Sequence, residues 1–91
     1  GADPRLQARS LALRAEVAKR VGDLAAAEKD LAEAMVLAHH TGETAVEARA
    51  LVLASTISTG RRELARAEAA LDRAEALARG LGDEQLSLAI L

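Results

Sequence analysis

A repeat of forty residues constrains the fold of this chain more than any other feature of its sequence. Eight positions recur in both copies: Leu24, Ala25, Ala27, Glu28, Leu31, Ala34, Leu37 and Ala38 return as Leu64, Ala65, Ala67, Glu68, Leu71, Ala74, Leu77 and Ala78. A fixed period of about 20 to 50 residues is typical of repeat proteins, whose equivalent units stack on one another. The sequence therefore predicts a stack of similar units rather than one irregular fold.

The composition indicates that these units are helical. Hydrophobic residues make up 51 % of the 91 residues, none of them is aromatic, and most are Ala or Leu. Ala and Leu are the strongest helix formers, and β-branched residues, which favour strands, are few. We expect an all-α fold in one small domain that spans residues 1–91.

Turn and capping residues predict about five helices that pair as antiparallel hairpins. Asp and Pro open helices, Gly ends them, and short links make neighbouring helices antiparallel. The helices are expected at about 4–21, 24–40, 45–58, 61–79 and 83–91. Repeat one covers about 3–42, repeat two about 43–82, and a third hairpin begins at 83–91. Thr44 and Glu47 have the spacing of a capping box at the third helix.

The first helix of each hairpin carries two apolar stripes, and the second helix carries one. In the first helix the stripes are Leu6, Ser10, Leu13, Val17 and Val21, and Ala8, Leu11, Ala15 and Ala18. In the third helix they are Val46, Ala50, Leu53 and Ile57, and Ala48, Leu51 and Ser55. Two stripes predict a helix that is sandwiched between neighbours, so the first helix of each hairpin should be an inner one.

Charge and residue usage argue against several classes of function. The net charge is −2 with both signs interleaved, whereas a nucleic-acid surface needs a clustered basic face. The chain contains no cysteine. His39 and His40 are adjacent and point about 100° apart on a helix, so they do not converge on one metal ion. We expect no metal, no cofactor and no enzymatic activity. With no apolar run long enough to span a membrane and no signal-peptide pattern, a cytoplasmic protein is expected.

The two ends of the sequence suggest a piece of a longer protein. The chain begins with Gly1 rather than Met, and it finishes within the apolar helical pattern of its last five residues. Helices seldom end without a stop signal. An open helical end would expose Leu86, Leu88, Ile90 and Leu91, and we expect these residues to support self-association as a homodimer.

The pattern of large and small residues resembles the tetratricopeptide (TPR) family. The matching residues are Leu11, Ala15, Ala27, Leu31 and Ala34 in repeat one, and Leu51, Ser55, Ala67, Leu71 and Ala74 in repeat two. The period of about forty residues exceeds the family's 34, and Arg14 and Ala54 stand where the family has a second large residue. These departures resemble the divergent Ala/Leu-rich TPR arrays of large bacterial regulators, the LuxR or STAND type. The resemblance implies a right-handed solenoid of stacked hairpins.

The same resemblance implies a binding scaffold without enzymatic activity. TPR proteins hold a protein or peptide partner on the concave face of their first helices. Carried over by position, this places a partner-binding groove at Arg9, Glu16, Lys19, Arg20, Arg49 and Thr56. Arg9 and Arg49 recur one repeat apart and suit the clamping of an acidic segment. The alternative is that both arginines are solvated or pair with Glu47 and similar neighbours. The alternative function is a self-associating spacer segment.

Overall fold

The computed structural model describes residues 3–80, which fold into four helices with no strand among them. The helices are α1 (Pro4–Arg20), α2 (Leu24–Thr41), α3 (Thr44–Gly60) and α4 (Leu64–Gly80). The prediction of an all-α fold is confirmed. The fifth helix that was predicted at 83–91 lies outside the described residues.

The helices pack as two hairpins that lie against each other. α1 packs along α2, and α3 packs along α4, each pair being joined by a link too short for any other arrangement. α2 of the first hairpin lies against α3 of the second, and α1 also contacts α3. The interface between the repeats is therefore formed mainly by α2 and α3.

The first two helices begin at the caps that the sequence predicts. The carboxylate of Asp3 accepts a hydrogen bond from the Arg5 amide at 2.9 Å, and that of Asp23 accepts one from the Ala26 amide at 3.1 Å. Pro4 occupies the first turn of α1, where its missing amide proton costs nothing. These side chains satisfy amides that the helix itself leaves without partners.

The predicted capping box of α3 and the predicted start of α4 are both wrong. The residue before α3 is Glu43, whose side chain makes no capping bond, and Glu47 is buried instead of folding back as a capping box requires. α3 continues through Gly60, and α4 begins at Leu64 rather than near residue 61. The turn of repeat two thus keeps the register of the turn at residues 21–23, forty residues earlier.

That conserved register places an arginine in a left-handed conformation. Gly22 has φ +87° in the first hairpin turn, and Arg62, at the equivalent position, has φ +63°. A residue with a Cβ atom pays steric strain in this region, whereas glycine does not. The second turn therefore holds backbone strain that the first turn lacks.

We expect Arg62→Gly to raise the free energy of unfolding by about 0.5–1 kcal/mol, because relief of the strain exceeds the added freedom of the unfolded chain. Gly22→Ala should act in the opposite direction by about 1 kcal/mol, since no neighbouring atom crowds the position and only φ is at fault. Urea unfolding followed by circular dichroism measures both. Equal effects of the same sign would contradict this account of the turn.

The core between the hairpins is built almost entirely from small side chains. A cluster of Ala15, Ala27, Leu31, Ala50 and Ile57 lies where the hairpins meet. Alanine at the contact lets helix backbones approach closely, so many weak contacts replace a few bulky ones. Leu31 is the one large side chain among the described residues that is essentially fully buried.

The two-stripe prediction is confirmed for α3 and is wrong for α1. In α3 both stripes are buried or half-buried, between α4 on one side and the first hairpin on the other. In α1 the stripe of Ala8, Leu11 and Ala15 packs inward, but Leu13 and Val17 on the other stripe are exposed. Within the described residues no element precedes α1, so nothing covers that side.

Candidate functional site

An open cleft of about 400 Å³ lies between α1 and α3, the first helices of the two hairpins. Its walls are residues spaced about one helical turn apart on each helix. The lining residues are Arg9, Ala12, Leu13, Glu16, Glu43, Ala45, Val46, Arg49, Ala50 and Leu53. The cleft therefore joins a predominantly apolar floor to a charged rim.

The charged rim consists of two ion pairs that cross from α1 to the second hairpin. Arg9 Nη2 donates to Glu43 Oε1 at 3.0 Å, and Arg49 Nη2 lies 3.9 Å from Glu16 Oε1. Both arginine side chains remain largely exposed, so each pair is screened by water and contributes at most about 1 kcal/mol. The guanidinium groups are held in place without being sequestered.

Three of the six predicted groove residues meet at this cleft. Arg9, Glu16 and Arg49 line it, whereas Lys19, Arg20 and Thr56 do not. The Thr56 hydroxyl donates to the Val52 carbonyl at 3.1 Å, which is a bond within α3. That any of these residues binds a partner stays a prediction.

The apolar floor was missed as part of the site. Leu13, Val46 and Leu53 belong to stripes that the sequence assigned to packing between helices. They line the cleft because Leu13 is exposed and Val46 and Leu53 are only half-buried, so part of each side chain stays in contact with solvent. The signal was present in the sequence, since Leu13 and Leu53 are equivalent positions of the two repeats.

The balance of charge at the rim changes the expected chemistry of a ligand. Arg9 and Arg49 would suit an acidic segment if they stood alone, but Glu43 and Glu16 bring the formal charge of the four side chains to zero. An acidic ligand would have to displace one carboxylate to reach a guanidinium. An aliphatic segment that carries both signs of charge fits this rim better.

The remaining candidates contribute little to the described structure. His39 Nδ1 lies 3.5 Å from Glu47 Oε1, and residues 3–80 contain no group of three or more side chains placed to hold a metal ion. None of the described helices has the length and apolar character needed to cross a membrane. The predicted self-association residues Leu86, Leu88, Ile90 and Leu91 lie outside the described residues.

Comparison of the chain with protein-family models, with curated proteins and with solved structures gave no match. The function therefore has to be argued from the cleft and from the exposed surfaces of the helices.

Proposed function

We propose that this chain is a non-enzymatic scaffold for protein–protein interaction that binds a partner segment in the α1–α3 cleft. The observation that carries the proposal is that equivalent residues of both repeats meet there. Arg9 and Arg49 are one repeat apart, and so are Leu13 and Leu53. The cleft thus presents the same arginine and leucine, one helical turn apart, from each of two adjacent helices.

The partner segment follows from the chemistry of this lining. The floor takes aliphatic side chains, because apolar area removed from water contributes about 25 cal/mol per Å². The rim takes a segment with interleaved acidic and basic residues, which can pair with Arg49 and Glu16 without leaving either charge unmatched. No aromatic side chain lines the cleft, so we expect affinity in the micromolar range or weaker.

The lining also favours binding over catalysis. It contains no serine, histidine or lysine, and both of its carboxylates face arginines. A nucleophile needs a neighbouring base, and general acid–base work needs a carboxylate that is free to exchange its proton. These side chains can bind a partner through shape and charge.

The resemblance to TPR repeats extends the proposal to the longer protein. Two hairpins that stack through α2 and α3, with a cleft on the side of the first helices, are compatible with a TPR-like solenoid, whose right-handed sense rests on the resemblance. We place the chain as part of a cytoplasmic bacterial regulatory protein, an assignment that rests on the resemblance alone.

A crosslinking pull-down from the source cells tests the cleft, using the wild-type chain beside Arg9→Glu/Arg49→Glu. We expect the wild type to capture a partner that the variant loses, because both guanidinium groups are replaced by carboxylates at the rim. Tight binding is not required, since crosslinking retains weak complexes.

The matched control is Arg66→Glu/Arg79→Glu on α4. It makes the same change in net charge and also sets new carboxylates beside Glu63 and Glu75, as the cleft variant does beside Glu43 and Glu16. Capture by the control and the wild type alone supports the cleft. A partner that binds all three chains equally would place the binding surface elsewhere.

A further inference from the structure

Two surfaces form the interface between the hairpins, one on α3 and one on α2. The equivalent surfaces on α1 and α4 are left largely exposed in the described structure. Ile57 of α3 is 4 % exposed, whereas Val17, the equivalent residue of α1, is 60 % exposed. Leu31 of α2 is 2 % exposed, whereas Leu71, the equivalent residue of α4, is 47 % exposed. The same aliphatic surfaces are buried where the hairpins meet and exposed where they do not.

One open half is a groove between α1 and α2, which we call the leading groove. It has a volume of about 410 Å³ and is lined by Leu13, Arg14, Val17, Ala18, Ala26 and Asp30. Its equivalents on α3 are Leu53, Ala54 and Ile57, which pack in or against the core between the hairpins. In the second repeat, the residues equivalent to this groove therefore pack against the first hairpin.

The other open half lies on α4, and we call it the trailing face. It consists of the exposed residues Leu64, Leu71 and Glu75, which surround Ala67, itself buried within the second hairpin. The equivalent residues of α2 are Leu24, Ala27, Leu31 and Met35, all of which belong to the core between the hairpins or pack against it. The internal interface thus shows which surface fits the leading groove.

The substitutions between the copies are complementary in charge. Arg14 in the leading groove replaces Ala54, and Glu75 on the trailing face replaces Met35. Ala54 and Met35 both pack against the same internal core. If a trailing face is docked as α2 is, an acidic residue and a basic one come to the interface at positions that are apolar inside the chain. In the single chain Arg14 lies 3.7 Å from Asp30 and Glu75 accepts from Arg79 at 2.9 Å, and both arginines are largely exposed, so each charge can also pair across the contact.

A second ion pair is preserved by the same superposition. Inside the chain Arg9 pairs with Glu43 across the two hairpins. Their equivalents across a contact between copies are Arg49 of one copy and Asp3 of the other, which are again a cation and a carboxylate. A contact between copies that follows the internal one would therefore set two pairs of opposite charge beside Leu71, Leu13 and Val17.

We propose that copies of this chain associate head to tail, with the trailing face of one copy seated in the leading groove of the next. The contact is heterologous, so each assembly keeps one free groove and one free face and grows with concentration. It is distinct from a dimer through residues 86–91. It shares Leu13 and Arg49 with the α1–α3 cleft, whereas Val17 and Leu71 do not line that cleft, so substitutions at these two residues test the assembly separately from partner binding.

Sedimentation of the full chain from about 5 to 500 µM tests the proposal, together with Val17→Glu and Leu71→Glu. The wild type should show an average mass that rises with concentration. Each variant alone should associate at least about tenfold more weakly, because every chain then carries a charge in one of the two surfaces that the contact needs. Both residues are exposed in the single chain, so neither change disrupts the fold, and circular dichroism verifies this.

The decisive sample is the equimolar mixture of the two variants. Val17→Glu keeps an intact trailing face and Leu71→Glu keeps an intact leading groove, so the mixture should recover a one-to-one dimer that grows no further. Val52→Glu changes a valine that is 45 % exposed and lies outside both surfaces, and it should behave as the wild type. A wild-type chain that stays monomeric, a Leu71→Glu chain that associates unchanged, or a mixture that stays monomeric would each overturn the proposal.

Discussion

We expect Leu31→Ala to lower the free energy of unfolding by about 3 kcal/mol, the largest effect of any single truncation in the described structure. Leu31 is the large side chain at the centre of the core, surrounded by Ala15, Ala27 and Ala50. Alanine neighbours cannot rotate into a vacated space, so the cavity stays open and its cost adds to the lost burial. Because small domains have net stabilities of only about 5–10 kcal/mol, a substantial share of the stability disappears.

The repeat supplies a matched control at Leu71. Leu71→Ala makes the same chemical change at the equivalent position, but the side chain is half exposed, so we expect a loss of about 1 kcal/mol or less. Urea unfolding at a monomeric concentration, followed by the helical circular dichroism signal, compares the two. Similar losses for both variants would show that the hairpins do not meet at Leu31.

We expect Arg73→Ala to cost about 2 kcal/mol, although the arginine itself is exposed. Its Nη2 donates to Glu47 Oε2 at 3.1 Å, and the Glu47 side chain is only 4 % exposed. The charge attraction is screened because Arg73 is 60 % exposed, so the pair contributes little directly. The cost arises because a buried carboxylate loses its hydrogen-bond donor, which leaves only His39 at 3.5 Å.

A second substitution separates this mechanism from a general loss of packing. In the Arg73→Ala background, Glu47→Leu should recover most of the lost stability, because an apolar residue of similar size needs no partner. Arg66→Ala is the surface control: it breaks the exposed pair with Glu63 and should cost less than about 0.5 kcal/mol. If Glu47→Leu lowers the stability of the Arg73→Ala chain further, the buried carboxylate is not the origin of the effect.

The helical class, the pairing of hairpins and most of the core follow from the sequence because they rest on periodicity. Ala27, Leu31 and Ala34 recur at helical spacing in both copies, and all three are buried in the first. A stripe indicates which side of a helix needs a neighbour. It does not indicate whether a neighbour is present, which is why Val17 and Ile57 have the same pattern and opposite exposures.

The turn of the second hairpin and the buried ion pair escaped prediction for different reasons. Arg62 adopts the left-handed conformation of Gly22 because the packing of α3 on α4 fixes the register, and tertiary contacts override local preference. Glu47 fits a capping-box spacing, but α2 and α4 supply His39 and Arg73 as its partners. Long-range pairs of this kind leave no local trace in the sequence.

The candidate site was predicted only in part, because its ion pairs also join residues that are far apart in the sequence. Position within the repeat located Arg9, Glu16 and Arg49, since equivalent positions on stacked helices face the same side. The pairing of these arginines with Glu43 and Glu16 depends on how the two hairpins lean, and this pairing replaces an expected acid-binding clamp with a neutral rim.

Site-specific photocrosslinking in the source cells tests the proposed binding cleft most directly. A photoreactive amino acid is placed at Ala45, which lines the cleft, or at Ala65, an alanine on α4 that is also exposed and does not line it. We predict a discrete crosslinked partner from Ala45 that is absent from Ala65 and is lost when Arg9→Glu/Arg49→Glu is added. A partner that crosslinks from Ala65, or equally from both positions, would contradict binding in the α1–α3 cleft.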